Sequence, residues 1–263
     1  MIDRSGSALW KIERARKHVD DLEAEVRAFW AADPYEVEMV GTPFAGHGFY
    51  RVKRISALPE SIPLIAGDAA HNIRSALDHF AWAAASPQER GAHTYFPVWN
   101  SIAARTQDKW QQQVRKQMKG ASAELIEAVV KLEAWEAGRD SLLWVIHELD
   151  RVDKYRLLLS VALALSGMYL EGDSYELTVA ERFSGGDPEG PLALAPLVWT
   201  PLEEGTELFS SPDGADFGAT RTALSFDVML GEPEMMRDKS AITQLRILAG
   251  LAEKVVQDLA PLA

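Results

Sequence analysis

The sequence predicts an α+β protein: mainly a helical bundle with an inserted β-hairpin, a small C-terminal antiparallel sheet and a final helix. Three observations lead there. Apolar residues recur at three- and four-residue steps through most of residues 1–170. One stretch, near residues 35–56, alternates apolar and polar instead. After Gly167, short strand-like runs separated by Gly, Pro and Asp take over until helical spacing returns at Lys239.

The elements follow in order. From Ser7 to Ala31, Leu9, Ile12, Ala15, Val19, Leu22, Val26 and Phe29 form one apolar stripe with charges on the other faces, an amphipathic helix that Asp33-Pro34 ends. "YEVEMVGT" and "GFYRVKRIS" flank "PFAGH" as the two arms of a hairpin, which could join the later sheet. Pro59 and Pro63 introduce a helix over Ile62 to Ala85. After the loop "SPQERGAHTYFPVW" come helices over Ile102 to Met118, Ala123 to Ala137 and Asp140 to about Ser166. The apolar run "LLLSVALALSGMYL", Leu157 to Leu170, reads as buried helix and is too short to span a bilayer. "SYELTVAERF", "LALAPLVWT", "TELFSS" and "TRTALSFDVML" are the expected strands, "FSGGDPEGP" is a loop, and Lys239 to Leu259 is the last helix. The expected division is residues 1–170, bundle with hairpin, and 171–263, sheet with helix, packed as one unit.

With 47% apolar and 25% charged residues, the 263-residue chain is globular rather than disordered. It has no cysteine, which excludes disulfides, thiolate metal sites and cysteine nucleophiles. Its N-terminus lacks the apolar core of a secretory signal, so the expected location is the cytoplasm, with no membrane partner. The net charge of -12 argues against nucleic acid only at first sight. From Glu171 onward 6 Lys+Arg face 17 Asp+Glu, whereas residues 1–170 hold 21 and 22. The acidity belongs to the C-terminal third.

Two polar clusters interrupt apolar helices. "HNIRSALDHF" sets His71, Asn72, Arg74, Ser75, Asp78 and His79 in an Ala/Leu-rich helix. "HELDRVDKYR" sets His147, Glu148, Asp150, Arg151, Asp153, Lys154 and Arg156 between "SLLWVI" and "LLLSVALALS". Charges in such surroundings need partners, and the two clusters are near-complementary, so they are expected to face each other. They form either a closed ion-pair network that fixes helix register or a functional site.

"RSALDHF" resembles the Arg-x4-His signature of HEPN domains, a helical family that includes many RNA-cleaving toxins and abortive-infection proteins. Arg74 matches the arginine and His79 the histidine; Ser75 stands where the family usually has Asn, Asp or His. The resemblance covers six residues. It implies metal-independent endoribonuclease chemistry without a cofactor, in a dimer groove, with Arg74 and His79 catalytic. The histidine would move protons and the arginine would hold the charge on phosphorus. His71, Asn72, Ser75, Asp78, His147, Asp150 and Lys154 would support them. "RTQDKWQQQVRKQMK" adds Arg105, Lys109, Arg115, Lys116 and Lys119 against Asp108; Lys109, Trp110, Arg115 and Lys116 are the candidate RNA contacts, or else a solvated helix face.

Two other readings stand beside this one. Asp68-x-x-His71 and His147-x-x-Asp150 have the spacing with which bundles ligate metals, although Arg74 and Arg151 would crowd a cation. Alternatively the protein is a non-catalytic interaction module. Its acidic C-terminal part, with Trp199, Phe209, Phe217, Phe226, Met229, Met235 and Met236, would meet a protein partner or a second copy. Phosphate-binding glycine loops, Gly-x-Ser-x-Gly elbows and His-Glu-x-x-His helices are all absent from the sequence.

Overall fold

The computed structural model describes residues 6–41, 48–99, 107–134, 141–155, 161–171, 202–211, 221–231, 233, 236, 237 and 239–263. It is α+β and mainly helical, with two small antiparallel sheets and a terminal helix. The chain forms two compact units, each drawn from separated stretches: Met1–Glu25, Glu60–Ser160 and Leu230–Ala263 in one, Val26–Pro59 and Val161–Met229 in the other.

Helix α1 spans Gly6–Ala31. Its buried stripe is Ala8, Ile12, Ala15, Val19, Leu22, Val26 and Phe29, in alternating steps of four and three. Ala8 takes the buried place expected of Leu9. Asp33, at φ 50°, closes the helix just before Pro34.

Strands β1 (Tyr35–Val40) and β2 (Gly48–Ile55) are antiparallel, with Val37 opposite Val52 and an irregularity after Glu36. Glu38 accepts from Arg51 across the ladder, and Glu36 from Lys53. β2 also pairs with β4 (Glu207–Ser211), so the hairpin does join a strand from the C-terminal third. Strands β3 (Val161–Glu171), β5 (Arg221–Leu230) and the two-residue β6 (Lys239–Ser240) make the second sheet, in the order β3-β5-β6.

In the helical unit, α2 (Ser61–Ala84) is the central element and packs against α5 (Ser141–Tyr155) and α6 (Ala241–Leu259). Ile62, Ile73, Leu77 and Phe80 fill its apolar side, while small Ala66, Ala69, Ala70 and Ala76 let neighbouring helices approach. α3 (Gln107–Gln117) and α4 (Ala123–Leu132) form a helical pair; Ser122 caps α4 by accepting from the Leu125 amide at 3.0 Å. Ser240 caps α6 in the same way.

Several expectations change. Within the run from Leu157 to Leu170, the part from Val161 onward is strand β3 and not helix, and residues 156–160 lie outside the described ones. A continuous apolar run has no period, so it cannot separate a strand from a helix. Ser240 begins α6 as its cap, not Lys239, and α4 stops at Leu132 because Glu133 turns left-handed. The strands expected over 174–183 and 192–200 and the loop over 183–191 lie outside the described residues, as do Ile102, Arg105, Asp140, Arg156, Trp199, Phe217 and Met235. Met229 and Met236 are buried. Among the described residues, no helix is long and apolar enough to cross a membrane.

Candidate functional site

Two features of α2 place Arg74. Arg74 lies on the broad buried side of the helix, and its guanidinium is only 4% exposed. One turn on, Asp78 meets it: Arg74 Nη2 donates to Asp78 Oδ1 at 2.7 Å and to the carbonyl of Phe96 at 2.8 Å. The Phe96 amide donates to that same Asp78 oxygen at 3.0 Å. One carboxylate therefore clamps the arginine and ties the segment after α2 back onto the helix. Burial pushes the Asp78 carboxyl above its ordinary range, against the pull of Arg74 and the Phe96 amide.

That segment, α3 and α5 enclose a cavity of about 540 Å³ beside Arg74. His93, Tyr95 and Trp99 line one wall. Lys109, Gln112, Gln113, Lys116 and Gln117, all on one face of α3, line another, and His147 of α5 lies beside Arg74. Gln113 holds the wall by donating to the Val98 carbonyl at 2.8 Å, and Trp99 leans edge-on against Trp110. Among the described residues no carboxylate lines the cavity, although the chain carries a net charge of -12.

Some of its polar atoms are unspent: Arg74 Nη1, the Trp99 indole N–H and both ring nitrogens of His147 are buried without a hydrogen-bond partner among the described residues. Such groups are costly to leave unsatisfied, and the three residues that carry them all line this cavity. Burial, followed by the charge of Arg74, lowers the His147 pKa from 6.5 to about 4, so its imidazole is neutral at pH 7. An anion in the cavity would reverse both effects by accepting from Arg74 Nη1 and stabilising the imidazolium.

Less than one turn away, a second set is closed. His71 Nδ1 lies 2.8 Å from Asp150 Oδ1, and Lys154 donates to Asp150 Oδ2 at 2.7 Å. With Nδ1 protonated, His71 Nε2 can accept from Ser75 Oγ at 3.3 Å. Asn72 donates to the Asp68 carbonyl and accepts from Lys11, and Glu148 takes Arg151 through both oxygens. Asp153 packs onto Gly67, its carboxyl pushed up by burial and by Asp150 and Asp68.

The two polar clusters therefore do face each other, through α2 and α5. Arg74 and His79 are not brought together: His79 is exposed and does not line the cavity. Lys109 and Lys116 line it, while Arg115 is exposed and does not. Trp110, expected to be free to stack on a base, is a core residue, 1% exposed, whose indole N–H donates to the Val130 carbonyl. Amphipathic spacing sends this apolar residue inward. Among the described residues, no group of three or more His, Asp or Glu is placed to hold a metal. His147 lies in the cavity, and Asp150 is held by His71 and Lys154.

The aromatic wall is not foreseen in the sequence, where "TYFPVW" reads only as loop, whereas the basic and amide side chains of α3 read either as an RNA contact or as a solvated helix face. No family model, curated protein or solved structure matches the chain.

Proposed function

We propose that the cavity binds a phosphate of single-stranded RNA and that the protein cleaves RNA there without a metal. The carrying observation is that Arg74 and His147, whose Nη1 and ring nitrogens have no hydrogen-bond partner among the described residues, line one cavity with Lys109 and Lys116 and, among the described residues, with no carboxylate. In this reading Arg74 keeps the phosphate-holding part that the HEPN resemblance assigns it. His147, rather than His79, is the imidazole that works beside it.

The chemistry follows from the protonation states. Neutral His147 takes the proton of the 2′-hydroxyl as that oxygen attacks phosphorus. The bond to the 5′ oxygen breaks, that oxygen takes a proton from water, and the imidazolium returns its own to solvent. Arg74 holds the extra negative charge at phosphorus. A dimer that sets two such cavities along one strand belongs to the same reading. The His71–Asp150–Lys154 set keeps the structural part.

The test is cleavage of labelled single-stranded RNA in EDTA, with end-group analysis for 2′,3′-cyclic phosphate. Arg74→Met and His147→Gln should each lower the rate by on the order of a hundredfold or more. His79→Ala should stay within about twofold of the wild type. No cleavage by the folded wild type sinks the proposal, as does loss in His79→Ala with His147→Gln unaffected.

A further inference from the structure

A second cavity, of about 830 Å³, opens where the start of α1, the end of α2 and the turn before α4 meet. Trp10 and Trp82 line it and are 76% and 47% exposed, unusual for the largest apolar side chain. Arg90 lines it too, its Cζ 5.7 Å from the Trp82 ring centre. Nε and Nη2 of Arg90 donate to the carbonyls of Ala85 and Ala83, which fixes the guanidinium and, among the described residues, leaves Nη1 uncommitted. Among the described residues no carboxylate side chain lines this cavity.

Two short connections join it to the first cavity. Arg90 is followed by His93 and Tyr95 of the phosphate site, and Gln117 of that site is three residues from Gly120 of this one. Three residues reach at most ~11 Å. The Ser86 amide donates to the Gly120 carbonyl at 2.8 Å, and Lys119 pairs with Glu89, so the two connections are stitched together. Gly120 allows this: it sits at φ 85°, and a Cβ there would fall 2.7 Å from that of Glu89.

We infer that this cavity is a nucleobase subsite, in which Trp82 and Trp10 stack bases of the same RNA strand whose phosphate Arg74 holds. The inference rests on the RNA reading above. Exposed indoles beside a fixed guanidinium suit single-stranded RNA, where each base offers a flat face and each link a negative charge. A purely apolar partner would leave Arg90 Nη1 unanswered.

Calorimetric titration of the intact protein with non-cleavable 2′-O-methyl oligoadenylates tests it. An octamer should bind, and Trp82→Leu should weaken it tenfold or more, with Arg90→Gln and Trp10→Leu acting in the same direction. The monomer 2′-O-methyladenosine 5′-monophosphate, with one base and one phosphate, cannot occupy both cavities and should lose at most about twofold in Trp82→Leu, while Arg74→Met weakens both lengths. Both tryptophans are exposed, and the unchanged monomer affinity of Trp82→Leu reports that its fold is intact. If the wild type binds neither length, the RNA reading fails and takes the subsite with it. If Arg74→Met weakens octamer binding but Trp82→Leu does not, the subsite alone is overturned. A wild-type dimer that Trp82→Leu converts to monomer in light scattering, with octamer affinity per chain unchanged, overturns it in favour of an interface between copies.

Discussion

His71 and Arg74 stand less than one turn apart on α2, and Asp150 and His147 stand equally close on α5, yet the two pairs meet opposite fates. His71 and Asp150 are consumed by each other and by Lys154 and Ser75. Arg74 and His147 keep a guanidinium nitrogen and a whole imidazole unspent. The first arrangement fixes helix register and needs nothing more. The second leaves buried polar groups unsatisfied, and that difference, more than charge content, is what the proposed site rests on.

The widest gap between the two regions should appear in pH dependence. The folded-state pKa of His147, about 4, lies below its ordinary 6.5, so the unfolded chain takes up the proton first as pH falls. The stability from keeping His147 neutral is complete above pH 6.5 and is lost as pH falls from there through 4, by up to about 3 kcal/mol. Urea unfolding at pH 7 and pH 4.5 should show that loss in the wild type and a much smaller one in His147→Phe. Equal losses in both proteins would break the contrast.

A smaller effect is expected from the brace. Asp150→Ala removes a buried carboxylate, but His71 and Lys154 are 43% and 45% exposed and can rehydrate. The cost should be about 2 kcal/mol at pH 7, below the 3–5 kcal/mol typical of a fully buried pair. Its RNA affinity, measured on the folded protein, should not change. A variant that stays stable but loses binding would merge the two regions into one site.

The smallest effect sharpens the contrast at Gly67. A Cβ there would fall 2.0 Å from Asp153 Oδ1, so this carboxylate must swing aside. It sits at the end of a flexible, half-exposed side chain, and Ala gains up to about 1 kcal/mol over Gly inside a helix. Gly67→Ala should therefore change the unfolding free energy by less than about 1 kcal/mol. A larger loss would show that Asp153 is held far more tightly than its exposure suggests.

Periodicity made α1, α2 and α6 legible, along with the hairpin, because each buries one face or alternates. It failed at Val161, where an unbroken apolar run carries no phase. The facing of the two clusters was legible from their complementary charges. Which imidazole joins Arg74 was not, since five positions on one helix place His79 about 140° around from it. His147 arrives through tertiary packing, and the unspent state of its nitrogens is a property of the cavity rather than of any residue.

The double use of Asp78 Oδ1 also bears on the order of assembly. It closes a loop of only 18 residues to the Phe96 amide, and Arg74 closes one of 22 to the Phe96 carbonyl. Short closures cost little chain entropy, so α2 and the wall can meet early in folding. His147, 73 positions beyond Arg74, docks against a half already built. The cavity is thus expected to close last around His147, the imidazole that the proposed reaction uses.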